Sequence, residues 1–216
     1  MRYQLVVFDW DGTLMDSTAG IAESIREAAR DLGLPVPARD LASHVIGLGL
    51  RDSLRSAVPS LPEQRYSEFV EAYRRHFAVE AQRMELFPGV RELLDDLRAS
   101  GRILAVATGK SRRGLDQALA ATALAPYFAA SRCADETTPK PDPAMLLELL
   151  DELEAPPAGA LMVGDTSHDL EMARGAGVDA VAVSYGAHAV DALRALMPRA
   201  CVASVAELRA WLTTHG

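Results

Sequence analysis

Cysteine and aromatic residues are scarce in this chain of 216 residues. Its two cysteines, Cys133 and Cys201, form no CxxC pair, which predicts reduced, partly buried thiols and a cytoplasmic location. Aromatic residues make up 6% of the chain, although 49% of it is hydrophobic. This composition favours helices packed on a sheet over an all-β sandwich.

Long apolar runs and an excess of positive charge are also missing. No segment contains the roughly 20 apolar residues that cross a bilayer, and the start, MRYQLVVFDWDGTL, lacks the apolar run of a signal peptide. The net charge of −8 repels the phosphates of nucleic acids. We therefore expect neither a membrane nor a nucleic acid as partner. Any phosphate site must be a local pocket of cations and backbone N–H groups.

Short apolar runs alternate with helical patterns through most of the chain. The runs predict strands at 5–8, 103–107, 129–133, 160–163 and 180–183, and the intervening patterns predict helices at 90–99, 112–125, 143–153, 170–176 and 205–212. This alternation predicts an α/β fold, a Rossmann-like parallel sheet with helices on both faces. A purely helical stretch interrupts it after the first strand. We therefore expect a catalytic core of residues 1–15 and 85–216 with an inserted helical cap domain of residues 16–84.

Polar residues follow the predicted strands, at the edge where open parallel sheets bind ligands. Asp9 ends the first strand, so its carboxylate points rigidly into the crevice and can serve as a nucleophile on phosphorus. Asp9 and Asp165 offer the oxygen ligands that Mg²⁺ prefers. The sequence therefore predicts a functional site at this edge.

These polar residues form four groups in a fixed order along the chain. The groups are Asp9-Trp10-Asp11-Gly12-Thr13-Leu14, Thr108-Gly109, Lys140 in Lys-Pro-Asp-Pro, and Gly164-Asp165-Thr166-Ser167-His168-Asp169. They resemble the four motifs of the haloacid dehalogenase superfamily, and the resemblance covers the whole chain. It implies a metal-dependent phosphatase that hydrolyses a small-molecule phosphate ester.

The resemblance implies a role for each motif residue. Asp9 would form an aspartyl-phosphate, and Asp11 would be the general acid and base. Thr108 and Lys140 would bind the phosphoryl oxygens, and Asp169 would orient Lys140 or a metal-bound water. The remaining expected contacts are Gly12, Thr13 and Gly109 on the phosphate, and Mg²⁺ held by Asp9, Asp165 and the backbone carbonyl of Asp11.

Other chemistries of the superfamily fit less well. The dehalogenases have a tyrosine in place of Asp11. The phosphonate hydrolases need a lysine in the inserted domain, but the first lysine of this chain is Lys110, which lies beyond that domain. A β-phosphoglucomutase-type mutase remains an alternative, although mutases usually carry a basic residue in place of Leu50. The loop Gly47-Leu48-Gly49-Leu50 looks more like that of the phosphoglycolate phosphatase-like group, so phosphoglycolate is the leading substrate. A catalytically silent binding module is the alternative of another class.

The remaining expectations concern single residues without a motif role and the oligomeric state. Arg51 and His44 are candidates for binding a substrate carboxylate, and exposure to solvent is the alternative for each. The five histidines lack ligand spacing and are expected at the surface or in packing, Trp10 in the core, and Asp142 at a helix N-cap. No heptad pattern persists, so we expect a monomer or a weak homodimer.

Overall fold

The computed structural model describes residues 2–216, and its centre is a six-stranded parallel sheet. Its strands are β1 (Leu5–Phe8), β2 (Ile103–Thr108), β3 (Ala130–Cys133), β4 (Ala160–Gly164), β5 (Asp179–Val183) and β6 (Ala200–Val202). They lie in the order β3-β2-β1-β4-β5-β6, and every neighbouring pair is parallel. The predicted Rossmann-like fold class is confirmed.

Ten α-helices accompany the sheet within the described residues. They are α1 (Thr18–Asp31), α2 (Arg39–His44), α3 (Leu50–Ala57), α4 (Tyr66–Glu80), α5 (Val90–Ala99), α6 (Arg112–Thr122), α7 (Ala144–Glu152), α8 (Ser167–Gly175), α9 (Val190–Ala195) and α10 (Val205–His215). Short 3₁₀ turns occupy Glu63–Arg65, Ala81–Arg83, Ala125–Tyr127 and Pro157–Gly159.

The sheet is buried on both faces, as the apolar strands require. Along β1 successive side chains point to opposite faces, so Val6 and Phe8 join one hydrophobic cluster while Leu5 and Val7 join another. The first cluster includes apolar residues of α5 and α10, and the second includes those of α7 and α8. This two-sided packing fixes β1 rigidly, and with it the residues that follow its carboxyl end.

Helices α1 to α4 follow β1 directly, and we call the segment Thr18–Arg83 the helical insertion. It has a hydrophobic cluster of its own, in which Ile25 of α1, Leu54 of α3 and Phe69 of α4 are fully buried. A single residue from elsewhere in the chain, Ala187, packs against this cluster among the described residues. The insertion therefore has the separate core that an accessory helical unit needs.

The structure differs from the expected elements mainly near the C-terminus. Strand β6 and helix α9 were not predicted, because three and six residues are too few to show a clear period. Helix α8 begins at Ser167 rather than at 170, since Thr166 and Asp169 form a capping box at its start. Across residues 2–216, no helix combines the length and apolarity that crossing a membrane requires.

Candidate active site

The candidate site lies at the centre of the sheet, where β1 and β4 are neighbours. The chain continues from β1 towards β2 on one side, whereas β4 leads to β5 on the other, which makes this pair the switch point of the fold. Asp9 follows β1 and Asp165 follows β4, and the Asp9 N–H donates to the carbonyl of Val163 at 2.9 Å. The fold thus brings two distant carboxylates to one crevice.

Lys140 enters this crevice between two buried carboxylates. Its Nζ lies 2.7 Å from Oδ1 of Asp9 and 2.6 Å from Oδ1 of Asp169, and all three side chains are almost fully buried. Burial opposes the charge on Lys140, but Asp169 and Asp9 together raise its pKa above the ordinary value. Lys140 is therefore a fixed ammonium group that neutralises part of the negative charge around Asp9.

Asp169 is held in turn at the start of α8. Its Oδ2 accepts the N–H of Thr166 at 3.0 Å and the Thr166 hydroxyl at 2.7 Å. Its other oxygen faces Lys140. This arrangement allows Asp169 to orient Lys140, and that expected role stays a prediction.

The carboxylates of Asp9, Asp165 and Asp169 form a cluster that fits a hard cation. Each offers an oxygen, and these oxygens lie within 4.8 Å of one another. Within residues 2–216, Oδ2 of Asp9 is buried and has no hydrogen-bond partner. An oxygen-only set with one uncommitted oxygen suits Mg²⁺.

Burial makes the negative charges of this cluster costly. Loss of water raises the pKa of Asp9 to about 7, with Asp169 and Asp11 adding to the effect and Lys140 opposing it. Burial likewise raises the pKa of Asp165 well above its usual value, and the charges of Asp9 and Asp169 raise it further. A bound divalent cation would stabilise the ionised carboxylates that the chemistry needs.

Asp165 is oriented by two donors from neighbouring loops. The Thr13 hydroxyl donates to its Oδ1 at 2.8 Å and the Ala187 N–H donates to its Oδ2 at 2.7 Å. Thr13, expected at the phosphate, therefore uses its hydroxyl to hold a carboxylate. Gly12 adopts a positive φ of 80°, and a Cβ there would lie 2.1 Å from Oδ2 of Asp165, so only glycine fits this turn.

Asp11 is held apart from the three clustered carboxylates. Both of its oxygens accept from Lys110 Nζ at 2.9 Å, and Oδ1 also accepts the Ser17 hydroxyl at 2.7 Å. Lys110 lies 5.1 Å from the centre of the Phe77 ring, in α4 of the helical insertion. Lys110 follows Thr108-Gly109 directly, which was the signal for a site residue, but its partner could not be read from the sequence.

Thr108 and Gly109 lie where β2 ends, as expected. Thr108 is fully buried, and its hydroxyl oxygen accepts the Lys110 N–H at 3.2 Å. A Cβ on Gly109 would lie 2.5 Å from the Leu48 carbonyl oxygen and 2.6 Å from that of Gly47. Gly109 therefore lets the loop of the helical insertion reach the site, and its phosphate contact stays a prediction.

Among the described residues, neither candidate for gripping a substrate carboxylate lines the cavity beside Asp9: the His44 ring stacks on that of His188, with the centres 4.5 Å apart, and the other candidate is Arg51. It is paired with Glu63 at the surface and lies 5.2 Å from the centre of the Tyr66 ring. Leu50, one position earlier, lines the cavity above Asp9. Successive helix residues point about 100° apart, so Leu50 and Arg51 of α3 cannot both face the cavity.

Three of the five histidines meet where the helical insertion contacts the sheet edge. Nδ1 of His188 accepts the Ser167 N–H at 3.0 Å, so its Nε2 carries the proton and donates to the His44 carbonyl at 2.9 Å. His168 lies 5.1 Å from His188 between ring centres, and burial lowers the pKa of His188 to about 4. The expectation of a packing role holds for these three, but their meeting across the insertion could not be predicted from their spacing.

Two further expectations concern residues beside the site. Trp10 is fully buried, and its ring meets that of Phe128 edge to face at 6.5 Å, as expected of a core residue. The Asp142 carboxylate accepts the Ala144 N–H at 2.9 Å, but the N-cap of α7 is Pro143 and not Asp142 as expected, because the helix begins one residue later. Both residues are structural.

Comparison with known proteins identifies the family. The sequence model described as haloacid dehalogenase-like hydrolase matches residues 6–183. The chain belongs to this family. The resemblance inferred from the four motifs is confirmed.

Three relatives of this haloacid dehalogenase-like hydrolase show how far the likeness extends. The probable phosphatase IndB of Dickeya dadantii is 38% identical over 210 residues, covering 94% of this chain and 91% of that protein. A phosphoglycolate phosphatase of Pseudomonas putida is 32% identical over 219 residues, covering 90% of this chain and 79% of that protein. A crystal structure described as a predicted phosphoglycolate phosphatase of Haemophilus somnus has a TM-score of 0.84 and 28% identity, covering 100% of this chain and 99% of that one.

Proposed function

We propose that this hydrolase is a phosphatase that cleaves phosphate monoesters of small molecules through an aspartyl-phosphate on Asp9. The observation that carries the proposal is the environment of Asp9. One of its oxygens is paired with the buried ammonium of Lys140, and the other is buried without a hydrogen-bond partner within residues 2–216. A carboxylate fixed in this way is ready to act as a nucleophile. Relatives named as phosphatases support the same reading.

The reaction proceeds in two steps that use groups of this chain. In the first, a carboxylate oxygen of Asp9 attacks phosphorus, the bond from phosphorus to the alcohol oxygen breaks, and Asp11 gives its proton to that oxygen. In the second, Asp11 takes a proton from water as the water oxygen attacks phosphorus, and the bond from phosphorus to the Asp9 oxygen breaks, which releases inorganic phosphate and restores the Asp9 carboxylate. Lys140 and Thr108 stabilise the charge on the phosphoryl oxygens in both steps.

Mg²⁺ is the proposed cofactor, held by Asp9, Asp165 and the backbone carbonyl of Asp11, with Asp169 close by. When bound, it neutralises the phosphoryl oxygens and the carboxylates. The all-oxygen cluster and the raised pKa values of Asp9 and Asp165 support this assignment.

Phosphoglycolate is the first substrate to test, because relatives carry that name. Leu50 lines the cavity where mutases usually place a basic residue, so no observation favours the mutase. A silent binding module would not need the buried Asp9, Asp165 and Lys140 together. We further propose that residues 16–84 act as a cap that closes over the site.

The proposals for cellular location and oligomeric state rest on fewer observations. Both cysteines are free thiols, which fits a cytoplasmic location. A monomer or a weak homodimer stays a prediction.

The decisive experiment is hydrolysis of p-nitrophenyl phosphate by the purified protein, with Mg²⁺ and then with EDTA. We expect activity that requires the metal and that falls by about 10³-fold or more in Asp9→Asn. Asp142→Asn, a matched change at an exposed aspartate just before α7, should keep full activity. Activity of Asp9→Asn within about tenfold of the unchanged protein would contradict the proposed nucleophile.

A further inference from the structure

A cavity of about 450 Å³ lies between the carboxyl edge of the sheet and the helical insertion, with Asp9 and Asp11 among its lining residues. Cavities of roughly 300–1,000 Å³ hold ligands of drug size. The alcohol part of phosphoglycolate has only two carbon atoms. The volume beside the nucleophile is therefore larger than that substrate needs.

The side chains that the helical insertion contributes to this cavity are mostly apolar. Ile21 and Ile25 of α1, Leu48, Leu50 and Phe77 line it. Tyr73 lines it too, and its ring stacks on that of Phe77, with the centres 5.7 Å apart and the planes inclined by 21°. The insertion thus presents an aromatic and aliphatic wall to the alcohol side of a bound ester.

Within residues 2–216, no buried cation that lines the cavity is free to pair with a carboxylate. Lys110 is bonded to both oxygens of Asp11. Arg74 and Arg113 also line the cavity, but both side chains are exposed. The other polar side chains from the insertion are Tyr73 and Ser53, and the Ser53 hydroxyl donates to the Val45 carbonyl at 2.9 Å. Burying a charged group against such a wall is costly.

Resting on the phosphatase activity proposed above, we infer that the enzyme prefers phosphate monoesters whose alcohol carries an apolar body the size of an aromatic ring over phosphoglycolate. The phosphoryl group lies at Asp9, and the ring packs against Phe77, Tyr73 and the aliphatic wall. An aromatic ring gains both burial and favourable ring–ring contacts there.

Three alkyl esters test the inference in the unchanged enzyme. Benzyl phosphate carries the ring, ethyl phosphate lacks it, and phosphoglycolate replaces it with a carboxylate, while all three release a primary alcohol. We expect kcat/KM for benzyl phosphate to exceed both others by about tenfold or more, as apolar contacts in a fitted pocket provide. Equal or faster hydrolysis of phosphoglycolate would overturn the inference and leave the phosphatase standing. Failure to hydrolyse all three and p-nitrophenyl phosphate would overturn the proposed function itself.

Substitutions in the wall provide a second, independent readout. In Phe77→Ala the preference for benzyl over ethyl phosphate should fall about fivefold or more, whereas Val79→Ala should keep it, because Val79 lies on the same helix, is 53% exposed and does not line the cavity. Leu50→Lys should move the preference towards phosphoglycolate by placing a cation in the wall. Circular dichroism spectra of the variants are compared with that of the unchanged protein to check that each variant is folded. An unchanged preference in folded Phe77→Ala and Leu50→Lys would refute the inference.

Discussion

Hydrogen bonds from Lys110 and Ser17 fix the orientation of the Asp11 carboxylate. In the proposed first step Asp11 protonates the departing alcohol. An alkoxide needs that proton far more than p-nitrophenolate does, because the phenolate is a stable leaving group. The role of Asp11 is therefore open to a test that compares leaving groups.

We expect Asp11→Asn to reduce kcat/KM for ethyl phosphate by about 10²-fold or more, and for p-nitrophenyl phosphate by clearly less. Lys110→Met should show the same pattern at about tenfold, since Asp11 would lose its orientation but keep its proton-transfer group. Arg98→Met, which removes an exposed cation of α5, is the control. Equal losses for the two esters would contradict the assignment of Asp11 as the acid.

At the level of single residues, the sequence predicts best where the backbone alone decides the position. Asp9 and Asp165 end buried strands, so the sheet brings them together whatever surrounds them. Arg51 and Lys110 show the opposite case. Arg51 pairs with Glu63 only in the rotation that α3 adopts, and Lys110 reaches Asp11 from the loop after the neighbouring strand β2. The local sequence pattern predicts neither pairing.

Among the elements, the loop between α2 and α3 matters most for the site, because it contacts the sheet edge at several points. Gly47 lies against Thr166, Gly49 against Ala134 and Pro139, and the carbonyls of Gly47 and Leu48 against Gly109. These contacts form one wall of the cavity, so that wall is complete only while the loop stays in place. Small residues are required where backbone meets backbone this closely.

Gly109→Ala should disturb this contact, because its new Cβ would lie about 2.5 Å from a backbone carbonyl that cannot rotate away. We expect a higher KM and faster hydrogen exchange of the amides in the 46–50 loop, with the melting temperature of the sheet core little changed. Gly159→Ala is the matched control, since the nearest atom to its Cβ would be a Pro156 side-chain carbon at 3.4 Å. Unchanged exchange in the 46–50 loop would show that the loop does not depend on this contact.

The predicted elements agree with the structure where a long period or a buried run marks them, as in β1, β2 and α5. Strand β6 lies at the edge of the sheet and pairs only with β5, and its three residues show no alternation that a sequence pattern could reveal. The start of α8 was missed for a different reason. Thr166 and Asp169 belong to the fourth motif, and they also cap the helix.

For the molecule as a whole, the site is a source of instability. Three carboxylates, Asp9, Asp165 and Asp169, share the cluster with one buried ammonium, Lys140, which leaves two negative charges without a partner in the cluster when all are ionised. Like charges in a buried site raise the free energy of the folded state. The fold tolerates this cost because the two hydrophobic clusters of the sheet hold β1 and β4 in place.

Removing one of these charges should therefore stabilise the metal-free protein while destroying the proposed metal site. In EDTA we expect Asp165→Asn to raise the melting temperature by about 2–4 °C, which corresponds to about 1 kcal/mol for a chain of this size. The asparagine can still accept the Ala187 N–H and donate to Thr13, so the loop contacts survive.

Mg²⁺ should raise the melting temperature of the unchanged protein, because it binds only the folded state, but should not raise that of Asp165→Asn. Asp142→Asn, on the exposed surface, should match the unchanged protein in both buffers. A lower melting temperature of Asp165→Asn in EDTA would mean that the Asp165 carboxylate stabilises the fold, and that repulsion within the cluster is not what the cation relieves.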